Sequence, residues 1–167
     1  MANYAVIKKT DIANGPGVRV SLFLSGCTHK CPGCFNQDLW DFNYGRKFTS
    51  STLEEVLESL QPDYITGLSI LGGDPFDGDE NRLTTEMIVR RVKNTFPQKT
   101  IWVYTGDLYE NVKNLPAMNF IDVLVDGPFI EAKKNLMLKF RGSSNQRIID
   151  VSKSIQQDRV ILLDGYN

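Results

Sequence analysis

Apolar positions along the chain fall into short runs punctuated by glycine and polar stretches. Val18-Arg-Val-Ser-Leu-Phe-Leu-Ser-Gly26 is rich in β-branched and aromatic side chains and ends at a glycine, which predicts a largely buried strand. Ser51 followed by Glu54 makes a capping-box pattern, and Leu53, Val56, Leu57 and Leu60 recur at helical spacing, so a helix is expected over 52–60. Gly67-Leu-Ser-Ile-Leu71 is a second strand halted by Gly72-Gly-Asp-Pro-Phe76, after which Leu83, Met87, Ile88, Val92 and Phe96 mark an amphipathic helix. Ile101–Tyr104 with Thr105-Gly106 repeats the unit, Asp107–Asn114 is expected to be a short helix, and Ile121–Val125 is a strand ending in Asp126-Gly-Pro128. Arg147–Val151 and Arg159–Leu163 are expected as strands or extended segments.

This alternation predicts an α/β fold with a mainly parallel sheet. At 167 residues the chain fits one domain, 1–167, and falls well short of the ~250 residues of an eight-unit barrel, so four or five parallel strands in an open or partial (β/α) barrel are expected. Ligands of such folds bind beyond the carboxyl ends of the strands. That rule gathers the loop after Gly26, Gly72–Asp74, Thr105-Gly106 and Asp126-Gly127 on one face.

Composition narrows the function. With 41% hydrophobic and 23% charged residues the chain is globular rather than disordered. Nineteen basic against twenty acidic side chains give a net charge of −1, so no bulk positive field favours nucleic acid. The opening residues lack a signal peptide's apolar core and no stretch approaches the ~18 apolar residues of a membrane span, so a cytoplasmic protein with no membrane contact is expected.

All three cysteines lie in Cys27-Thr-His-Lys-Cys31-Pro-Gly-Cys34. A clustered, odd set interleaved with polar residues, Pro and Gly points to thiolate metal ligands rather than to disulfides or core packing. Zinc would need a fourth ligand, and the one histidine, His29, sits in a cramped place two residues from both Cys27 and Cys31. A 4Fe-4S cluster normally takes four thiolates. Three would leave one iron open to a small-molecule chelate. His29 is then a solvated loop residue.

The C-x3-C-x2-C spacing resembles the signature of the radical S-adenosylmethionine superfamily. Gly72-Gly-Asp74 is similar in position to that superfamily's Gly-Gly-Glu motif, with Asp for Glu. Asn14-Gly-Pro-Gly17, the cysteine loop with Phe35-Asn36, Gly72-Gly-Asp-Pro75, Trp102-Val-Tyr-Thr-Gly106, Val125-Asp-Gly-Pro-Phe129 and Phe140-Arg-Gly-Ser-Ser-Asn-Gln-Arg147 together resemble the family of anaerobic ribonucleoside-triphosphate reductase-activating proteins.

The resemblance implies a shortened radical-SAM fold that carries a 4Fe-4S cluster on Cys27, Cys31 and Cys34. S-adenosyl-L-methionine would chelate the fourth iron, its amine held near Gly72, Gly73 and Asp74. Gly33 stands where the superfamily usually has an aromatic against the adenine, which leaves Phe35 as the aromatic candidate beside Cys34, and Thr105 and Asp126 complete the candidate ligand contacts. Reductive cleavage of the cofactor, with an electron from a donor such as flavodoxin, would place a radical on a glycine of the reductase's large subunit. Plain alternatives stand beside these roles: turn carboxylates for Asp122 and Asp126, solvated cations for Arg141 and Arg147, a rigid turn for Asn14–Gly17, and core packing for Trp40 and Phe42. The competing functions are a radical-SAM enzyme with a small-molecule substrate and a zinc-binding adaptor using Cys27, Cys31, Cys34 and His29.

Overall fold

A computed structural model describes residues 1–167. Its strands are β1 (Asn3–Asp11), β2 (Val18–Leu24), β3 (Arg46–Lys47), β4 (Ile65–Gly72), β5 (Thr100–Tyr104), β6 (Val123–Asp126) and β7 (Arg147–Asp150), and its helices are α1 (Ser50–Ser59), α2 (Asp79–Thr95), α3 (Tyr109–Val112) and α4 (Val151–Gln157). The strands form one seven-stranded sheet in the order β3-β1-β2-β4-β5-β6-β7. The central β2, β4, β5 and β6 pair in parallel, while β1, β3 and β7 pair antiparallel at the flanks. The sheet is therefore mixed and open, with β3 and β7 as edges: the four central strands meet the expectation of four or five parallel strands in an open or partial barrel, and the antiparallel flanks depart from it. The difference arises at both ends of the chain: β1 folds back on β2, and β7 returns beside β6 after a long loop.

Alternation along the strands sorts their side chains onto two faces. Val20, Leu22 and Leu24 of β2, with Leu68, Ile70, Ile101, Val103, Leu124 and Ile149, pack under the helices through Leu53, Val56, Leu57, Ile88, Val89 and Val92 in one cluster of 26 buried residues. The opposite face carries Phe23 and Leu71 in one small cluster and Trp102, Val123, Val125 and Ile148 in another. Phe140, Leu163 and Tyr166 pack onto the second of these. Arg19 lies on this face too, fully buried, with its donors on Ser69 Oγ (2.8 Å), Thr100 Oγ1 (3.0 Å), and the carbonyls of Leu68, Thr100 (2.9 Å each) and Pro16 (3.3 Å).

Several local expectations shift. The capping box of α1 is Thr49 with Thr52, not Ser51 with Glu54, so the helix starts earlier. Helix α2 buries Asn81, Thr84, Thr85, Ile88, Val89 and Val92, while Leu83 is 65% exposed. The expected stripe holds for Ile88 and Val92, which are buried, and for Met87 and Phe96, which pack on the core, and fails at Leu83; the first turns are held instead by polar side chains: Thr84 Oγ1 accepts from Ala2 N, Thr85 donates to Pro75 O, and Asn81 donates to Ser25 O and Asp74 O. Helix α3 is a single turn. Arg159–Leu163 is an extended segment joined to β7 by the bridge Leu162–Ile149. No helix is long and apolar enough to cross a membrane.

Candidate metal centre and ligand cavity

The cysteine loop leaves the C-terminal end of β2 and has no regular structure of its own until the short turn Gln37–Trp40. Its position is set by its neighbours. Gly26 N donates to Leu39 O (2.8 Å) and Cys27 N to Trp40 O (3.1 Å), which closes the loop at its base. Gly26 has φ +106°, and a side chain there would enter the ring of Phe42, so both conformation and space demand glycine. Asp77 receives the backbone N–H (2.6 Å) and hydroxyl (2.7 Å) of Thr28.

All three thiols are unpaired, half-buried and on the wall of one cavity of about 570 Å³. Burial, reinforced by the charges of Asp74 and Asp77, pushes the Cys27 thiol up to about 11. An isolated Cys27 therefore stays protonated, and a bound cation is what would make it a thiolate. The Asn36 amide points at Cys34 Sγ (3.4 Å), a backbone donor of the kind that stabilises sulfur ligands. Three soft donors on a preformed loop, one already hydrogen-bonded, fit an iron–sulfur cluster.

His29 is an exposed loop residue, as expected, but it is not free in solvent. Its Nε2–H donates to Asp74 Oδ2 at 2.8 Å, and this bond above all raises the imidazole's pKa. Cys27 Sγ, a His29 ring nitrogen and an Asp74 oxygen all lie within 4.8 Å of one another. Asp74 is 1% exposed, and its carboxylate also accepts from Phe76 N (2.9 Å), Gly106 N (3.0 Å) and Thr105 Oγ1 (2.9 and 3.1 Å). Asp74 thus joins the cysteine loop to the ends of β4 and β5.

The remaining candidates divide. Cys27, Cys31, Cys34, Phe35, Gly72, Gly73 and Thr105 all line the cavity, with Gly106, Val125, Gly127 and Phe129. Gly72 has φ +114°, and a Cβ on Gly73 would stand 2.5 Å from Gly26 O and 2.6 Å from Leu39 O, so the backbone here runs directly against the cysteine loop. Phe35 is 60% exposed and stacks at a tilt on Phe129, with centroids 5.2 Å apart. Gly33 has φ +75° and packs on Glu131, placing it in the turn rather than on the cavity wall. Asp126 is fully buried and turned away: it accepts from Tyr109 N (2.7 Å) and from Arg147 Nε (3.0 Å), while Arg147 also holds Glu110. Its side chain joins strands and helix, as does Arg147, instead of reaching the cavity.

The Arg141–Arg147 block is knitted to itself. Gln146 Oε1 accepts from Gly142 N and Ser143 N, its Nε2 donates to Gly127 O, and Arg141 Nη1 donates to Gln146 O. Arg141 still lines the cavity. Asn14–Gly17 is a turn that Arg19 fills, since a Cβ on Gly15 would meet the Arg19 side chain at 2.8 Å. Asp122 pairs with Lys93 (2.7 Å) and accepts from Ile101 N, a strand-end role. Trp40 supports the cysteine loop through its carbonyl.

Sequence reasoning passed over Asn81, Asp77 and the part His29 plays. A buried asparagine at a helix start and an aspartate just after Gly-Gly-Asp-Pro-Phe were the available signals, and both have surface explanations in sequence alone.

A cysteine loop at the C-terminal end of a parallel strand, opening onto a cavity, defines an iron–sulfur protein class: the family model described as a 4Fe-4S single cluster domain matches residues 13–149. Anaerobic ribonucleoside-triphosphate reductase-activating proteins are 43% identical over 148 residues in Enterobacteria phage T4, covering 87% of this chain and 92% of that protein. The corresponding proteins are 40% identical over 148 residues in Escherichia coli K12 (86% and 96% covered) and 43% identical over 150 residues in Haemophilus influenzae (87% and 96%). The chain belongs to the family of anaerobic ribonucleoside-triphosphate reductase-activating proteins. A zinc adaptor is not what this family membership describes.

Proposed function

We propose that this chain is an activase that holds a 4Fe-4S cluster on Cys27, Cys31 and Cys34, cleaves S-adenosyl-L-methionine reductively, and generates a glycyl radical on the large subunit of anaerobic ribonucleoside-triphosphate reductase. In this reading the open sheet is a shortened partial (β/α) barrel, and residues 1–167 act as one domain. The observation that carries the proposal is a trio of thiols, with no fourth cysteine in the chain, on the wall of a cavity that passes directly by Gly72 and Gly73. When bound, the cluster and the sulfonium cofactor supply the one-electron bond cleavage; the chain's residues bind and orient them.

The close approach of Gly73 to the cysteine loop brings a backbone edge, free of side chains, to the place where a methionyl amine would lie. The Asp74 carboxylate, carrying four protein partners, serves that amine less directly than the neighbouring backbone does. Phe35 and Phe129 offer an aromatic wall for the adenine, and Thr105 closes the cavity floor beside Gly106. Asp126 contributes by holding Arg147 and the start of α3. An electron donor such as flavodoxin would meet the exposed rim of the cysteine loop.

The test is anaerobic reconstitution with iron and sulfide. About four irons per chain, 5′-deoxyadenosine formed with dithionite and S-adenosylmethionine, and a glycine-centred doublet in electron paramagnetic resonance on adding the reductase are expected. Changing any of the three cysteines to Ala should abolish nucleoside release. Nucleoside formation without a doublet on an intact reductase refutes the protein substrate, and bound zinc without nucleoside refutes the chemistry.

A further inference from the structure

The Asp74 carboxylate is nearly inaccessible, yet one of its donors comes from a loop with no regular structure. Phe76, Thr105 and Gly106 belong to the strand-end turns that Asp74 itself organises, whereas His29 reaches it from between Cys27 and Cys31. The imidazole is seated as well as bonded: it lies flat on Gly106, where a Cβ would meet its Cδ2 at 2.8 Å and its Nε2 at 3.1 Å. One side of the ring thus needs a glycine at the end of β5, and its nitrogen needs a carboxylate at the end of β4. The next residue, Lys30, has φ +49°, an unfavourable conformation for a non-glycine residue. A local cost at Lys30 is tolerated where the loop is held on both sides, by Thr28 on Asp77 and by His29 on Asp74.

We infer that His29 is a positioning residue: its hydrogen bond to Asp74 pins the segment between Cys27 and Cys31 onto the ends of β4 and β5, so that the thiols face Gly72 and Gly73 in one fixed register. His29 is neither a metal ligand nor a catalytic group in this account. It acts through Asp74, and the bond also explains why the aspartate is already saturated by protein donors. The inference rests on the cluster-binding reading above for its consequence, while the clasp itself is a property of the chain.

The experiment compares wild type, His29→Ala and His29→Gln after anaerobic reconstitution. It measures iron loading, the rate at which a chelator strips the cluster, and the dissociation constant for S-adenosylmethionine read from the change it causes in the reduced cluster's paramagnetic spectrum. A hydrogen bond to a charged group is worth about one factor of ten in an equilibrium. His29→Ala should therefore load iron normally but lose its cluster roughly tenfold faster and bind the cofactor more weakly. His29→Gln, whose amide can still donate to Asp74, should recover most of both.

Unchanged chelation and binding in His29→Ala overturn the inference. Equal defects in the Ala and Gln variants also overturn it, since they would mark His29 as an iron ligand. Failure of the wild-type protein to take up iron would instead strike the cluster-binding reading, so the two failures are distinguishable.

Discussion

Arg19 offers the most quantitative test of what holds the sheet's ligand-side face together. Its guanidinium is fully buried and makes five hydrogen bonds, none of them to a carboxylate. Burial lowers its pKa to about 10, which still leaves it charged at neutral pH. The charge is thus stabilised by oriented carbonyls and hydroxyls from β4, β5 and the Pro16 turn, and by the face of Trp102 at 5.8 Å. Arg19→Lys keeps the charge and the stem but offers three donors at most, so at least two bonds are lost and two buried acceptors go short. At about 1–1.5 kcal/mol each the loss is about 2–3 kcal/mol. For a chain of this size that corresponds to a Tm decrease of roughly 4–12 °C. Circular dichroism melts and urea titrations of the cluster-free protein measure it directly. A melting temperature within about 2 °C of wild type would show that the network contributes nothing net and that the reasoning from donor count fails.

Two further outcomes follow from buried carboxylates. Desolvation of Asp11 works to raise its pKa, but bonds from Ser21, Ala13 and Asn14 together with Lys8 outweigh it, and the net shift is downward. A depressed folded-state value means that Asp11 adds stability above its unfolded pKa of ~3.9 and loses it as pH falls through the lower folded value. Asp11→Asn should flatten the acid limb of the stability curve in urea titrations below about pH 4, and an unchanged limb would show that Asp11 does not govern it. Arg147→Met strands Asp126, which has no exposure, and should cost about 3–5 kcal/mol in thermal unfolding while leaving cofactor affinity close to wild type. A selective loss of cofactor binding with normal stability would return Asp126 to the ligand site.

The parallel centre of the fold was legible because its strands are short, mostly apolar runs, buried on both faces, that stop at a glycine: Gly26, Gly72 and Gly106 follow runs that no polar residue breaks for long. β1 was not, since Tyr4, Val6 and Ile7 give way to Lys8, Lys9 and Thr10 and the strand lies half exposed near the sheet's edge. Helix α4 was hidden for a similar reason: Val151-Ser-Lys-Ser-Ile-Gln-Gln157 buries only Val151 and Ser154, and its start depends on the Asp150 cap. The three cysteines announced themselves by spacing. What spacing could not convey is which polar groups meet across loops. The bonds from His29 and Thr105 to Asp74 and from Arg147 to Asp126 join residues 45, 31 and 21 positions apart, and they decide whether a carboxylate faces ligand or protein.

The main core cluster contains no cysteine, and the loop that bears them is closed at its base by backbone bonds and the Asn81 side chain. Folding is therefore expected not to depend on metallation, unlike in small metal-dependent domains that collapse only around their ion. A chain stripped of its inorganic cargo should keep an intact scaffold and accept a new one without passing through the unfolded state.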